Sequence, residues 1–303
     1  MITDTLFSEK DGLALDIAIS EPKCNPKAII QFSHGMCEHK ERYFEFMKFL
    51  SRNGYVCVIH DHRGHGKSVK SQDDLGFFYT EDANFITDDL YSVTKYIKGL
   101  YKELPLYLFS HSMGTLVTRN YLKKYDFAAS KVVLCGPPTY NPAVGFVIYL
   151  AKSLKLVYGE RFKSRLLYNI ADGMYNRGYD RPHSWINSDL NMVKEYESDK
   201  LCNYTFTING YINLFNLLKN SYISDDWNVR NNDLKFLIIA GGEDPVTQDQ
   251  KQLIHLKNFL NNLGYSNTAL KIYPKLRHEL LHEKRQGEVY GDVLSFFNGT
   301  DKN

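Results

Sequence analysis

The chain lacks a hydrophobic run long enough to cross a bilayer. Its longest apolar stretch, Ala143 to Ala151, is far short of the roughly 20 residues that a spanning helix needs. It also lacks CxxC spacing. Its five cysteines, at positions 24, 37, 57, 135 and 202, form an odd, scattered set. Such a set does not frame disulfides or a zinc site, and it reads as free thiols in a reducing cytoplasm. The N-terminal segment carries Asp4, Glu9, Lys10 and Asp11 with no apolar h-region, so no secretory signal is expected. Charge of one sign is scarce too, with a net of only +2. Nucleic acid is therefore not an expected partner, because phosphate binding needs a concentrated basic surface. No internal repeat and no low-complexity tract is present.

What is abundant is aromatic. The 22 Tyr and 18 Phe carry enough area to line a wide apolar pocket as well as a core. At 303 residues the chain exceeds a typical single domain, so a core plus an insertion is expected.

Short apolar runs alternate with helical spacing along most of the chain. The runs Ala14 to Ser20, Ala28 to Phe32, Tyr55 to Ile59, Leu106 to Phe109, Val132 to Cys135, Phe236 to Ala240 and Leu270 to Tyr273 read as strands. Helical stretches fall near Tyr43 to Leu50, Asp82 to Tyr101, Met113 to Lys124, Phe206 to Leu218, Gln248 to Leu263 and Val289 to Phe297. Most of these strands do not alternate apolar with polar, so both of their faces are covered. The predicted fold class is α/β, with a mostly parallel central sheet flanked by helices. The rhythm breaks after Pro137. The predicted organisation is a core over 1–137, an inserted helical cap over 138–205, and the rest of the core over 206–303. In such sheets the active site lies at the carboxyl ends of the strands.

Ser110-His111-Ser112-Met113-Gly114 stands between a predicted strand and a predicted helix. That context suits a nucleophile elbow, with Ser112 at its tip. A serine hydroxyl is a weak nucleophile until a base takes its proton. The base and its orienting acid should follow in the order serine, carboxylate, histidine. Asp244 lies just past the strand Phe236 to Ala240, with Glu243 as the alternative acid. A plain turn residue before Pro245 is the other reading of Asp244. His278 lies past the strand Leu270 to Tyr273, with His282 as its rival. His255 sits inside a helix and reads as structural. The oxyanion needs donors, and backbone N–H groups suffice. The expected ones belong to Met113, after the serine, and Met36, in the loop after Ala28 to Phe32.

At this point a resemblance becomes specific. Five blocks carry it: His34-Gly35-Met36-Cys37-Glu38-His39 with Arg42-Tyr43; Asp61-His62-Arg63-Gly64-His65-Gly66-Lys67-Ser68; His111-Ser112-Met113-Gly114; Glu243-Asp244-Pro245-Val246; and Arg277-His278-Glu279 with Glu283. In this order they resemble the α/β-hydrolases of the monoacylglycerol lipase and lysophospholipase group, catalogued with the serine aminopeptidases of type S33. The resemblance implies a triad of Ser112, Asp244 and His278, in agreement with the reading of the loops. It also implies a head-group site at Glu38, Arg42 and His111; the plainer roles there are pinning a loop and satisfying buried backbone. It implies that the Asp61 to Ser68 loop is structural, so no metal is expected at His62 and His65. Three positions depart from the family pattern. Ser110 replaces a glycine, Cys37 stands where glycine is common, and Asp199-Lys200-Leu201 lacks the family's proline.

The expected function is hydrolysis of a carboxylic ester of monoacylglycerol or lysophospholipid type, with no cofactor. Two alternatives remain open. One is an aminopeptidase-type amide hydrolase, whose substrate amine would need an acidic group from the cap; Glu160, Asp172, Asp180, Asp189, Glu195 and Glu197 are available, and no motif places any of them. The other is a non-catalytic ligand-binding protein on the same fold. Residues Asn141 to Tyr158 are apolar, with lysines interleaved. The ordinary reading is a helix packed on the body of the protein. The other is peripheral contact with a membrane.

Overall fold

The computed structural model describes residues 1–300. Eight strands form one sheet: β1 (Ile2–Phe7), β2 (Ala14–Ser20), β3 (Ala28–Ser33), β4 (Tyr55–His60), β5 (Leu106–His111), β6 (Lys131–Cys135), β7 (Lys235–Gly241) and β8 (Thr268–Tyr273). Their order is β1-β2-β4-β3-β5-β6-β7-β8. The β1–β2 and β2–β4 pairs are antiparallel, and every later pair is parallel. The order reverses around β3, which is where an open α/β sheet leaves a crevice at its strand ends.

The helices of the core are α1 (Phe44–Arg52), α2 (Asn84–Leu100) and α3 (Met113–Tyr125) in the first part. Between β6 and β7 come α4 (Val144–Tyr158), α5 (Arg165–Ala171), α6 (Leu190–Ser198) and α7 (Ile208–Asn220). The chain ends with α8 (Gln250–Leu263) and α9 (Gln286–Asn298). Alternate residues of each parallel strand enter different cores, as the two-residue period of a strand demands. Ile29, Val56, Leu108, Val132 and Ile238 face α2, α3 and α8. Ile30, Cys57, Phe109, Val133 and Ile239 face α1 and α9. Both faces are thereby buried, which is why these strands read as continuous apolar runs.

Residues 138–205 contain helices and no strand. Their own small core joins Trp185, Ile186, Tyr196 and Cys202 to Val246, which follows β7. This contact lays the insertion over the carboxyl ends of the strands. No helix among the described residues is long and apolar enough to cross a membrane.

Candidate active site

The chain reverses sharply between β5 and α3. Ser112 sits at the turn with φ 51° and ψ −122°, a conformation that few non-glycine residues adopt and that functional sites hold under strain. Its N–H donates to Cys135 O at 2.9 Å, which anchors the turn to β6. The close approach of α3 to β3 explains Gly114. A Cβ there would lie 2.1 Å from Ser33 O, so no larger residue fits. Ser110 takes the place of a glycine without penalty, because its buried hydroxyl donates to Val133 O at 3.0 Å.

His278 Nε2 lies 2.8 Å from Ser112 Oγ. Its Nδ1 lies 2.9 Å from Asp244 Oδ2. Asp244 Oδ1 accepts from Val246 N at 2.9 Å, which fixes the carboxylate plane. Gly136, at φ 55°, gives this pair room: a Cβ there would come within 3.1 Å of the His278 ring. The loop that carries His278 is tied to the insertion. Glu283 accepts from Arg277 N at 2.9 Å and from Ser188 N at 3.0 Å, and Arg277 Nη1 donates to Ser184 O at 2.6 Å. The structure therefore brings Ser112, Asp244 and His278 together. It turns the rivals elsewhere. Glu243 is half exposed near Arg277, His282 Nε2 meets Arg42 O at 3.0 Å, and His255 packs beside Tyr140 and Tyr222.

Met113 opens α3, so its N–H is one of the four that a helix start leaves without an intrahelical acceptor. Met36 follows β3, and both methionines line a cavity with Ser112. Next to Met36, Cys37 adopts φ 54°, a glycine-like conformation. Its thiol donates to Tyr204 O at 2.8 Å. Burial pushes that thiol well above its usual range, so it stays neutral.

Glu38 and His111 line a second, polar pocket with Ser112. Glu38 accepts from Gly35 N, from Tyr43 Oη at 2.8 Å, and pairs with His111 Nδ1 at 3.1 Å. Burial opposes its charge, but His111, Arg42 and His34 outweigh that and hold the carboxyl well below the usual range. Arg42 is committed to both oxygens of Glu279 at 2.7 Å each, with its Nε 3.4 Å from Glu38. Glu38, Arg42 and His111 thus form one charge-balanced network together with Glu279. Motif reading did not single out Asp172, Trp185 and Tyr196, which also line the polar pocket. They lie on the insertion, where no motif marks them; the signal available was that Trp185 is one of only two tryptophans.

The larger cavity, about 120 Å³, is bounded by Leu116, Val144, Val147, Ile170, Phe215 and Val246 among others. Its lining is mostly apolar, with Ser112 at one of its walls.

The Asp61 to Ser68 loop is packed beneath the site. Asp61 accepts from Lys40 N at 2.7 Å and Lys67 N at 2.8 Å, and Arg63 is fully buried against Asp89. His60 and His65 are buried and pushed down to about 3, mainly by burial. Among the described residues one group places metal-ligating atoms within 4.8 Å of one another: His39, Asp199 and Cys202. His39 Nε2 already meets Asp199 Oδ2 at 2.9 Å, and burial raises the Cys202 thiol, so this contact joins the loop after β3 to the insertion.

The chain is similar to known proteins over most of its length. The family described as serine aminopeptidase, S33, matches residues 24–285. A monoacylglycerol lipase of Mycolicibacterium smegmatis is 22% identical over 290 residues, covering 96% of this chain and 95% of that protein. The human monoglyceride lipase is 33% identical over 150 residues, 48% of each chain. Among solved structures, a carboxyl esterase from Bacillus coagulans in complex with glycerol superposes with a TM-score of 0.89 at 24% identity, covering 99% of this chain and 98% of that one. A monoglyceride lipase variant from Saccharomyces cerevisiae in complex with a substrate analog gives 0.76 at 19% identity, covering 100% and 97%.

Proposed function

We propose that this chain, which belongs to the serine aminopeptidase S33 family of α/β-hydrolases, hydrolyses carboxylic esters of monoacylglycerol or lysophospholipid type. The observation that carries the reading is the continuous line from Ser112 Oγ to His278 to Asp244, at 2.8 and 2.9 Å, opening onto a mostly apolar cavity. In this reading Ser112 Oγ attacks the ester carbonyl while His278 Nε2 takes its proton. Asp244 holds the ring in the tautomer that can accept, and stabilises the charged ring that results. The N–H groups of Met36 and Met113 receive the developing oxyanion. The tetrahedral species collapses, and the alcohol leaves with the proton from His278. Water, deprotonated by His278, then attacks the acyl-enzyme and releases the acid.

Residues 138–205 act as the cap that forms the acyl chamber. The relatives named as lipases support a lipid ester. The apolar face of α4 supports contact with the lipid surface that holds such a substrate.

Ser112→Ala should lower hydrolysis of short p-nitrophenyl esters by at least about 10⁴-fold. Unchanged turnover in that variant would remove the assignment. A panel of monoacylglycerols, lysophospholipids, short esters and amino-acyl amides then sorts the substrate class. Activity on the amides alone would reverse the choice of ester over amide.

A further inference from the structure

Asp172 directly follows α5, and it lines both the apolar chamber and the polar pocket beside Ser112. Its carboxylate has no hydrogen-bond donor and no ion-pair partner among the described residues. The cations and acids around it are otherwise engaged. Arg42 is taken by Glu279 and Glu38, His111 by Glu38, and His183 by Glu197 at 3.0 Å. His278 is held between Ser112 and Asp244. The remaining groups near Asp172 include the neutral hydroxyls of Tyr168, Tyr175, Tyr196 and Tyr211 and the thiol of Cys37. Asp172 is therefore the uncompensated charge of the pocket. Burial raises its carboxyl to about 6, and His183 and His278 offset only part of that.

Aromatic rings surround the same space. Tyr175 and Trp185 stand 5.1 Å apart, and Trp185 lies 5.3 Å from the His278 ring. Tyr196 also lines the polar pocket, with the Arg42 guanidinium 5.2 Å from its ring. A partly buried carboxylate without a counter-ion is costly, and a substrate that supplies one recovers that cost. Aromatic faces beside a carboxylate are the usual receptor for an ammonium group.

We propose that Asp172, with Tyr175, Trp185 and Tyr196, forms a cation-accepting subsite that selects esters whose alcohol part carries an ammonium group. This rests on the reading of Ser112 as nucleophile, with the acyl chain in the apolar chamber and the alcohol part in the polar pocket. The subsite sorts charged from neutral head groups, which the triad alone does not do.

The test uses the choline ester of a medium-chain acid and its neutral isostere, the 3,3-dimethylbutyl ester. The readout is the ratio of their kcat/KM values. That ratio cancels the ionisation of His278, which both esters share. We expect a ratio of about tenfold at pH 7.5. Asp172 is charged above about pH 6, so the ratio should fall towards one as pH drops to 5. Asp172→Asn should bring the ratio to about one at every pH, and Asp172→Glu should restore part of it. A wild-type ratio of one, or a preference that survives Asp172→Asn, overturns the inference. So does a 2-hydroxyethyl ester that outperforms the choline ester, because the subsite would then be a hydroxyl acceptor. Turnover of the neutral ester with no choline preference sinks this inference alone. Full turnover of both esters by Ser112→Ala sinks the underlying reading instead. Choline and 3,3-dimethylbutan-1-ol titrated into the Ser112→Ala protein, followed by tryptophan fluorescence, repeat the comparison without turnover. Choline should bind the more tightly, and equal binding overturns the subsite.

Discussion

At the scale of single residues the site is held by groups that have no freedom left. Neither ring nitrogen of His60 has a hydrogen-bond partner among the described residues, and the ring is fully buried beside His62 at 4.7 Å. Burial holds it neutral, down to about 3. In the unfolded chain such a ring titrates at about 6.5. Its folded pKa is thus depressed, so the unfolded state binds the extra proton between about pH 6.5 and 3. Stability from this group is complete above pH 6.5 and is lost as pH falls. Between pH 7 and 5 the loss is about 2 kcal/mol. His60→Phe should shrink the difference in unfolding free energy between those two pH values by about that much in urea titrations. An unchanged difference would show that the ring is not held neutral. The same scale shows what motif reading can see. Ser112, Asp244 and His278 were legible because each lies in the loop just after a strand end, where sequence pattern and geometry coincide. Trp185 was not, and Asp172 stood only as one of six equivalent cap acids, because their neighbours come from distant segments that no local pattern links. Ser110 and Cys37 looked like departures. Each proves to be a small side chain with one backbone acceptor, Val133 O and Tyr204 O respectively.

At the scale of elements the periodic helices and buried strands were legible within a few residues. The start of α7 shows the kind of displacement that occurs. Helical spacing suggested Phe206, but Thr207 caps the helix by accepting from Gly210 N, so it begins at Ile208. Strand β1 was missed, since nearly all of it is exposed and it has no apolar alternation; its pairing with β2 creates it. Helix α4 has one buried apolar face and one exposed apolar face. Val147, Ile148 and Ala151 are buried, while Phe146, Tyr149, Leu156 and Val157 are between 69% and 88% exposed. Exposed Lys152, Arg161, Lys163 and Arg165 lie on or just after it, although Arg161 also pairs with Asp74. An apolar face flanked by basic residues binds an anionic interface through burial and charge together. The protein should therefore co-sediment with vesicles containing anionic lipid, less so as salt rises. Phe146→Ser with Leu156→Ser should release it. Failure of the wild-type protein to sediment at low salt would end the membrane reading of α4.

At the scale of the whole molecule, the antiparallel edge must be fastened to a parallel core that would be complete without it. Arg63 does this. It is fully buried, and its Nε donates to Asp89 Oδ2 at 2.7 Å, its Nη2 to Asp89 Oδ1 at 3.2 Å, and its Nη1 to Asp11 at 3.0 Å. Ser8 Oγ completes the set by bonding Asp89 at 2.6 Å. These groups come from the β1–β2 turn, the loop after β4, and α2. The loop that Arg63 belongs to also carries Asp61, which pins Lys40 beside the loop after β3. One buried cation therefore couples the sheet edge to the floor of the site. Removing Asp89 leaves the buried guanidinium with only the partly exposed Asp11 as counter-charge, which costs far more than the pair contributes when intact. Asp89→Ala should lower stability by about 3–5 kcal/mol, read as a lower urea midpoint. Asp89→Asn should lose less, since an amide oxygen still accepts from Arg63. The double variant Asp89→Ala with Arg63→Met should recover much of the loss, because no charge is then left buried. A double variant no more stable than Asp89→Ala alone would mean that packing around this junction, rather than its charge, holds the edge in place.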